Sequence, residues 1–378
     1  MQLLSVKFQA IMIVACVLSY FFSIVCILIF KNLQIVDKSF KKTQTAHINA
    51  TPRLGGLGIL FSIISVELIF GGIFRLWFFI CIIPIFVIGF LEDIHLETKP
   101  KVRLLVGSFS SLLAIYLSKY WLIDVDFPFL DYFLQISILG IFFTVFASVG
   151  MINAINFIDG IHGFASAKIV IISIGIFLIA FKVGEERIAI MGALVACASL
   201  GLFFVSYPKG KIFLGDAGAY CLGFILAWQL IILLSRNPEL SAWSLLALVF
   251  WPVMDTLFSI FRRILKGKPT NRPDLLHFHQ VIMRAIEIIS KKEISRRISN
   301  PLATATILPF TFFPIIFGVK YSHNVYAGLS IILISATIYV LIYYTIILVL
   351  KNHRIRNSTS NFTMPLWSFI SLLIKKFD

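Results

Sequence analysis

Apolar stretches of about 20 residues recur along the whole of this 378-residue chain. The composition is 59% hydrophobic and only 13% charged, and the mean hydropathy is +0.95. A helix of about 20 residues covers the hydrocarbon layer of a bilayer, which is about 30 Å thick. Because a soluble domain carries about 25% charged residues, the sequence excludes the soluble class. It predicts an all-α polytopic integral membrane protein.

The apolar stretches predict about eleven transmembrane helices in one domain, residues 1–350. The first is too long for the apolar region of a signal peptide, so we expect it to be retained. Residues 351–378 form a tail, in which 364–377 is interpreted either as a helix lying in the membrane interface or as a partly ordered segment. The predicted spans are 8–30, 54–74, 76–94, 102–121, 133–155, 164–182, 188–206, 219–236, 241–261, 301–319 and 327–350.

The basic residues indicate the orientation of these spans. All but seven of the 33 Lys and Arg residues fall in or beside alternate connections and in the tail. Short basic loops stay in the cytoplasm, so we expect the N-terminus outside and the C-terminus in the cytoplasm. The same rule explains the net charge of +15 without a nucleic-acid partner. The predicted cytoplasmic loops are 31–53, 92–103, 156–163, 207–218 and 262–300.

Four short polar clusters interrupt the apolar pattern: Glu92-Asp93, 153–160, 215–218 and His277 to His279. Successive clusters are separated by roughly 60 residues, about two crossings of a membrane, so they return to the same face. Carboxylates at a bilayer surface are usually functional, and Mg2+ binds one or two carboxylates together with substrate phosphates. The spacing therefore predicts one shared site in a metal-dependent enzyme that acts at the bilayer surface.

Each polar residue in these clusters also has a structural interpretation. Around Asp216, the small residues of 215–218 either let a phosphate approach backbone N–H groups or cap and pack a helix. Asn153, Asn156 and Asp159 share a helix face, which suits a nucleotide or a metal-bound water. Alternatively, the Asp159-Gly160 step is an ordinary turn.

The nearby cationic residues and histidines suit anions. Lys99 and Arg103 follow the acidic pair and are interpreted as ligands of a lipid phosphate or as contacts to anionic headgroups. His277 and His279 lack the spacing of a helical zinc pair, so anion binding is favoured.

A polytopic lipid or solute transporter is the alternative class. A transporter would concentrate polar residues near the midplane of the membrane. In the predicted spans only Glu67 lies clearly deep. The polar clusters at helix ends therefore favour an enzyme.

Taken in order, these motifs resemble the polyprenyl-phosphate N-acetylhexosamine-1-phosphate transferases of glycosyltransferase family 4. The similarity runs from about Asp37 to Ala285 and is greater to the WecA-like branch than to the MraY-like branch. The matching segments are His47 with 51–56 (TPRLGG), 89–93 (GFLED), 153–163 (NAINFIDGIHG), 213–218 (FLGDAG), 252–255 (PVMD), 262–263 (RR) and 273–279 (PDLLHFH).

The resemblance implies transfer of HexNAc-1-phosphate from a UDP-N-acetylhexosamine to undecaprenyl phosphate, with release of UMP. The setting would be the cytoplasmic face of a bacterial inner membrane, at the start of O-antigen or similar polysaccharide synthesis. A homodimer is compatible with it. The resemblance also implies Mg2+, or Mn2+ in its place, with Asp216 as metal ligand. It leaves GlcNAc, QuiNAc and FucNAc open as the sugar.

The same resemblance implies roles for the other residues. Asp93, Glu92 and Asp159 would lie at the reaction centre, where Asp93 acts either as a base or as a substrate-orienting group. The expected substrate-binding residues are His47, Asn153, Asn156, His277, His279, Lys99 and Arg103.

Four positions depart from the family pattern. Glu92 stands where an Asp is usual, and His162 where a second Asp is frequent. Gln280 replaces a His, and Leu275 replaces an Arg. We expect these positions to bear on sugar choice. They also fit an inactive scaffold in a polysaccharide assembly complex, which is a third interpretation.

Overall fold

The computed structural model describes residues 6–32, 51–96, 98–267, 276–290 and 294–356, which contain fourteen α-helices. The helices are α1 (Val6–Asn32), α2 (Gly55–Phe70), α3 (Leu76–Asp93), α4 (Pro100–Ser118), α5 (Pro128–Leu134), α6 (Ser137–Phe157), α7 (Phe164–Lys182), α8 (Glu186–Ser206), α9 (Gly215–Arg236), α10 (Ala242–Leu248), α11 (Phe250–Leu265), α12 (Phe278–Ile289), α13 (Arg296–Lys320) and α14 (Val325–Arg356).

Nine helices in these ranges are long and apolar enough to cross a bilayer: α1, α3, α4, α6, α7, α8, α9, α13 and α14. The helices α10 and α11 together form a tenth, bent candidate, and α2 is apolar but has only 16 residues. Each predicted span therefore corresponds to one of these helices or to the bent pair. The chain is a multi-pass membrane protein, whereas the number of crossings and the orientation stay predictions.

The span predicted over 241–261 is wrong as a single helix. The helix α10 ends at Leu248, α11 begins at Phe250, and the two differ in direction by 86°. Pro252 lies in the first turn of α11. Its ring would collide with the carbonyl of the residue four positions earlier in a continuous helix, which is Leu248, and it has no N–H to donate. The chain therefore turns before Pro252.

The helix α11 is amphipathic after this turn. Asp255 and Arg262 are buried, whereas an apolar stripe at helical spacing is 40–62% exposed: Leu257, Ile260, Phe261 and Ile264. The helix also packs against α6. An exposed apolar stripe is stable in a membrane protein when it faces lipid.

The centre of the bundle is α9, which is almost completely buried and packs against α2, α3 and α6. Its first turn is held by very close backbone contacts. A Cβ added to Gly56 of α2 would overlap the backbone of Gly218, and one added to Gly89 of α3 would overlap Ala217. Small residues permit this approach. As a result, the N-terminus of α9 lies beside the C-terminal end of α3.

Glu67 is not deep in the bundle, so that part of the sequence interpretation is wrong. It lies in the last turn of α2, and its Oε2 accepts hydrogen bonds from the backbone N–H groups of Ile73 at 3.2 Å and Phe74 at 3.0 Å. The carboxylate therefore orders the turn that follows α2. The position of Glu67 therefore gives no support to the transporter class.

Some predicted features lie outside the described residues. They are His47 with most of the loop 31–53, the segment 268–275 including Leu275, and the possible interfacial helix at 364–377.

Candidate active site

Asp93 closes the N-terminus of α9. This buried carboxylate, at the end of α3, accepts hydrogen bonds from the backbone N–H groups of Asp216 at 2.8 Å and Ala217 at 2.9 Å. The first N–H groups of a helix have no partner within the helix, and a carboxylate is favoured there by the helix dipole. Asp93 is thus a capping group supplied from a neighbouring helix.

Asp159 caps the same turn from the other side. It lies just after α6, and its Oδ2 accepts the backbone N–H of Gly215 at 2.9 Å. Gly215 has φ +81°, and an added Cβ would collide with the carbonyl of Arg53. Desolvation raises the pKa of Asp159, while the Gly215 N–H and the charge of Arg53 act in the opposite direction.

These contacts bear on the two interpretations of the 215–218 segment. The N–H groups of Gly215, Asp216 and Ala217 all donate to carboxylates of the chain itself. These N–H groups are thus occupied by carboxylates from α3 and from the turn after α6, and the small residues of 215–218 serve close helix packing. Whether a phosphate approaches the segment stays a prediction.

Asp216 has surroundings that differ from those of the two capping carboxylates. Its Oδ1 accepts a hydrogen bond from Nδ2 of Asn156 at 2.8 Å, and its Oδ2 lies 3.9 Å from Nη1 of Arg103. Arg103 also donates to the hydroxyl of Tyr220 at 3.3 Å. Asp93 and Asp159 accept backbone hydrogen bonds, whereas the partners of Asp216 among the described residues are the side chains of Asn156 and Arg103. Asp216 is thus the carboxylate in this cluster best suited to bind an exchangeable ligand.

Glu92 belongs to the rim of the same cluster. Its Oε1 accepts hydrogen bonds from the backbone N–H and the hydroxyl of Thr98, and its Oε2 lies 3.8 Å from Nη1 of Arg103. Arg103 therefore lies between Glu92 and Asp216. We refer to Glu92, Asp93, Asp159 and Asp216 as the carboxylate cluster.

Two expected site residues do not join this cluster. Nδ2 of Asn153 donates to the carbonyl of Val149, in its own helix, at 2.8 Å. Lys99 is exposed at the N-terminus of α4, where its carbonyl accepts from Val102 and Arg103. Their substrate-binding roles stay predictions.

The histidines form a second cluster around Asp255. Nδ1 of His277 lies 2.9 Å from Oδ2 of Asp255, and Nδ1 of His279 lies 3.9 Å from the same atom. Oδ1 of Asp255 accepts the backbone N–H of Phe278 at 2.9 Å and the hydroxyl of Tyr339 at 2.6 Å. We refer to Asp255, His277 and His279 as the histidine cluster.

The histidine cluster packs against the end of α6. Phe157 lies between Asn156 and Asp159 in the sequence. The centroid of its ring is 5.6 Å from that of the His277 ring. His279 lies so close to Gly160 that a Cβ there would overlap its ring. Burial lowers the pKa of His279 to about 4, although Asp255 acts in the opposite direction. The two clusters therefore meet at the C-terminal end of α6, and the four polar segments lie together.

Asp255 and Tyr339 are the site residues that were absent from the expected set. Asp255 was visible in the sequence as one of only 18 acidic residues, about two turns inside an apolar span. Tyr339 gave no signal, because it is one Tyr among many aromatics in an apolar helix.

The side chains of the site supply only some of the ligands that a divalent cation needs. No group of three or more His, Cys, Asp or Glu residues suited to a metal ion occurs within the described ranges. A site for Mg2+ does not require one, because this ion is commonly held by one or two carboxylates together with substrate phosphates. Asp216 meets that requirement, because within the described ranges no backbone N–H donates to its oxygens.

Comparisons with known proteins find one matching family model and several similar proteins. The family model described as glycosyl transferase family 4 matches residues 75–234, which include the carboxylate cluster. A protein of Bacillus subtilis (strain 168), named probable undecaprenyl-phosphate N-acetylglucosaminyl 1-phosphate transferase, is 29% identical over 250 residues, or 64% of this chain and 68% of its own length.

Two further relatives are named undecaprenyl-phosphate alpha-N-acetylglucosaminyl 1-phosphate transferase. The protein of Escherichia coli (strain K12) is 26% identical over 267 residues, covering 68% of this chain and 71% of the relative. The protein of Thermotoga maritima is 27% identical over 271 residues, covering 71% and 80%.

Proposed function

Since residues 75–234 match the family model of glycosyl transferase family 4, we propose that this chain transfers N-acetylhexosamine-1-phosphate from a UDP-sugar to undecaprenyl phosphate. UMP is the second product. The reaction would start the synthesis of a cell-surface polysaccharide, O-antigen or a similar glycan, at the cytoplasmic face of the inner membrane. The observation that carries the proposal is the meeting of the two clusters at one end of the membrane-spanning helices.

In the proposed reaction, an oxygen of the lipid phosphate attacks the β-phosphorus of the UDP-sugar. The bond from that phosphorus to the oxygen bridging the two phosphates breaks, and UMP leaves with this oxygen. Both reactants are anions, so they repel each other, and positioning with charge neutralisation supplies most of the catalysis. Arg103 is placed to bind phosphate oxygens, because its guanidinium lies beside Asp216 and Glu92.

We further propose that Asp216 holds Mg2+, with Mn2+ as an alternative. The carboxylate cluster contains four acidic groups, and within the described part of the chain the guanidinium groups of Arg53 and Arg103 act on it. A divalent cation would offset the excess negative charge. When bound, Mg2+ would also neutralise the phosphate oxygens of the substrates. Asn156 would orient Asp216 towards the ion, and Asp93 and Asp159 would keep the turn before it in place.

The exposed apolar stripe of α11, which faces lipid, is a surface along which a lipid acceptor can lie. This helix carries Asp255 on its buried side and Leu257 with Phe261 on its exposed side. A polyprenyl chain can therefore lie along the exposed side while its phosphate reaches the carboxylate cluster.

The histidine cluster is proposed to contact the sugar-phosphate part of the donor. Asp255 holds His277 through Nδ1, so the orientation of the imidazole is fixed before any substrate binds. GlcNAc is the first sugar to test, because it appears in the names of the relatives. QuiNAc and FucNAc are the next sugars to test.

The test is UMP release by the purified full-length protein in liposomes, with undecaprenyl phosphate and each UDP-sugar in turn. We expect UMP only with Mg2+ or Mn2+, and loss of nearly all activity in Asp216→Asn. Glu239→Gln is the matched control, because Glu239 is exposed beyond the far end of α9. Absence of UMP with every sugar would refute the transferase and favour the scaffold. Uptake of a solute without UMP would favour a transporter.

A further inference from the structure

His162 connects the turn that carries Asp159 to the loop between α8 and α9. Its Nδ1 lies 2.9 Å from the carbonyl oxygen of Pro208. A carbonyl oxygen only accepts hydrogen bonds, so Nδ1 must carry the proton and donate. The ring also packs on Phe213 of the same loop, with centroids 5.9 Å apart.

The backbone of His162 is fixed from the opposite side by α13. Its N–H donates to Oδ1 of Asn300 at 2.7 Å, and its carbonyl accepts from the hydroxyl of Thr304 at 2.9 Å. Both of these α13 side chains are completely buried. The ring therefore starts from a rigid support, and the direction of its Nδ1–H is well defined.

The loop held by His162 leads directly to Asp216. Gly210 has φ +59°, and an added Cβ would overlap the His162 ring. Five residues further on, Gly215 donates its N–H to Asp159. The turn and the loop are thus joined at two points, His162 to Pro208 and Asp159 to Gly215. Lys209 and Lys211, on either side of Gly210, are exposed between these points.

We propose that His162 is a positioning residue that holds the loop 207–214 and, through it, the start of α9 with Asp216. The kinetic part of this proposal rests on the proposed function, whereas the structural part does not. The side chain at this position must then supply a proton donor to the Pro208 carbonyl. An ionised carboxylate has no proton to donate to the Pro208 carbonyl, and its negative charge would repel that oxygen.

The matched variants are His162→Asn and His162→Asp. The two replacements have nearly the same shape, and the Asn amide can place a donor where Nδ1 stands, whereas the Asp carboxylate cannot. We expect His162→Asn to keep the loop in place through its hydrogen bond to Pro208, while both variants lose the ring packing on Phe213 alike. We expect His162→Asp to release the loop, because the carboxylate cannot donate to the Pro208 carbonyl.

The first measurement is hydrogen exchange of the full chain in liposomes, which needs no enzymatic activity. Loss of one hydrogen bond of about 1 kcal/mol should accelerate exchange of the amides in 207–214 about fivefold in His162→Asp. His162→Asn should leave it unchanged. Equal exchange in the two variants, fast or slow, would overturn the positioning role.

The second measurement is the Mg2+ concentration that gives half-maximal UMP release. It should rise about fivefold in His162→Asp if the loop positions Asp216, while His162→Asn matches the unmodified protein. A change of melting temperature with no change in this concentration would mean a purely structural residue. If the unmodified protein releases no UMP, the proposed function fails, and the exchange experiment still decides the role of His162.

Discussion

The side-chain amide of Asn156 donates a 2.8 Å hydrogen bond to Oδ1 of Asp216, and so joins the end of α6 to the start of α9. Oδ2 of Asp216 is left near Arg103, 3.9 Å from its Nη1. The two oxygens of this carboxylate therefore have different surroundings. Asn156 fixes which of them is presented to a ligand.

Asn156→Ala should lower kcat for UMP release by about tenfold and raise the requirement for Mg2+. The reason is that a hydrogen bond to a charged group is worth about 1.5–3 kcal/mol. Steady-state kinetics at several Mg2+ concentrations would measure both effects. Asn153→Ala is the control, because its amide donates within its own helix. Equal losses in the two variants would argue against an orienting role of Asn156.

Asp93→Asn should destabilise the protein by about 2 kcal/mol. One end of the new amide would be a donor facing a backbone N–H, so a buried donor of α9 would lose its acceptor. Thermal unfolding in detergent would measure the change. Glu92→Gln is the control, because its amide oxygen can still accept from Thr98. A variant at Asp93 that is inactive yet fully stable would instead indicate a chemical role for this carboxylate.

Gly56→Ala should reduce the yield of folded protein, because the new methyl group would overlap the backbone of Gly218. Overpacking of this kind costs about 1–3 kcal/mol. Gly150→Ala is the matched control, since an added Cβ there has no neighbour within 4 Å. Size-exclusion chromatography of both variants would give the folded fraction. Normal yield of Gly56→Ala would show that α2 and α9 can separate without loss of the fold.

Acidification should weaken the fold through His279. Its pKa is about 4 in the folded protein and 6.5 in its ordinary state. Above about pH 6.5 both states are neutral, and the full stability is present. As the pH falls from 6.5 towards 4, the unfolded chain binds a proton that the folded chain does not. The free energy of unfolding therefore falls, by on the order of 3 kcal/mol at pH 4.

The measurement is the melting temperature in detergent across this pH range for the unmodified protein and His279→Gln. The variant should lose part of the pH dependence, and the difference between the two curves isolates the histidine. His323→Gln, at an exposed position, should leave the dependence unchanged. Parallel curves for all three proteins would contradict a neutral, buried His279.

The sequence was sufficient to predict the helical membrane fold and the meeting of the polar clusters. The helices were predicted from the length of the apolar stretches. The meeting of the clusters was predicted from the two membrane crossings that separate successive clusters. The bend before Pro252 was missed, because the apolar pattern continues through it and only the backbone chemistry of proline interrupts the helix. The last-turn position of Glu67 was missed because the end of α2 lies inside a continuous apolar stretch.

The different contacts of the three aspartates in the carboxylate cluster could not be predicted from the sequence. Asp93, Asp159 and Asp216 are the same residue type, each at the end of a helix. Their differences arise from contacts between helices that are far apart in the chain, such as Asp93 with α9. The glycines that permit this approach, Gly56 and Gly89, are also not distinguishable by sequence from glycines that pack against nothing, such as Gly150.

The right-angle turn between α10 and α11 has a consequence for the rate law of the proposed reaction. In the proposed reaction, the apolar stripe exposed beyond the turn would receive polyprenyl phosphate by lateral diffusion in two dimensions. The supply is then set by the mole fraction of polyprenyl phosphate in the bilayer, not by its amount per volume of buffer. At fixed concentrations of UDP-sugar and Mg2+, adding inert phospholipid would slow the enzyme, whereas diluting the vesicles would leave the turnover of each molecule unchanged.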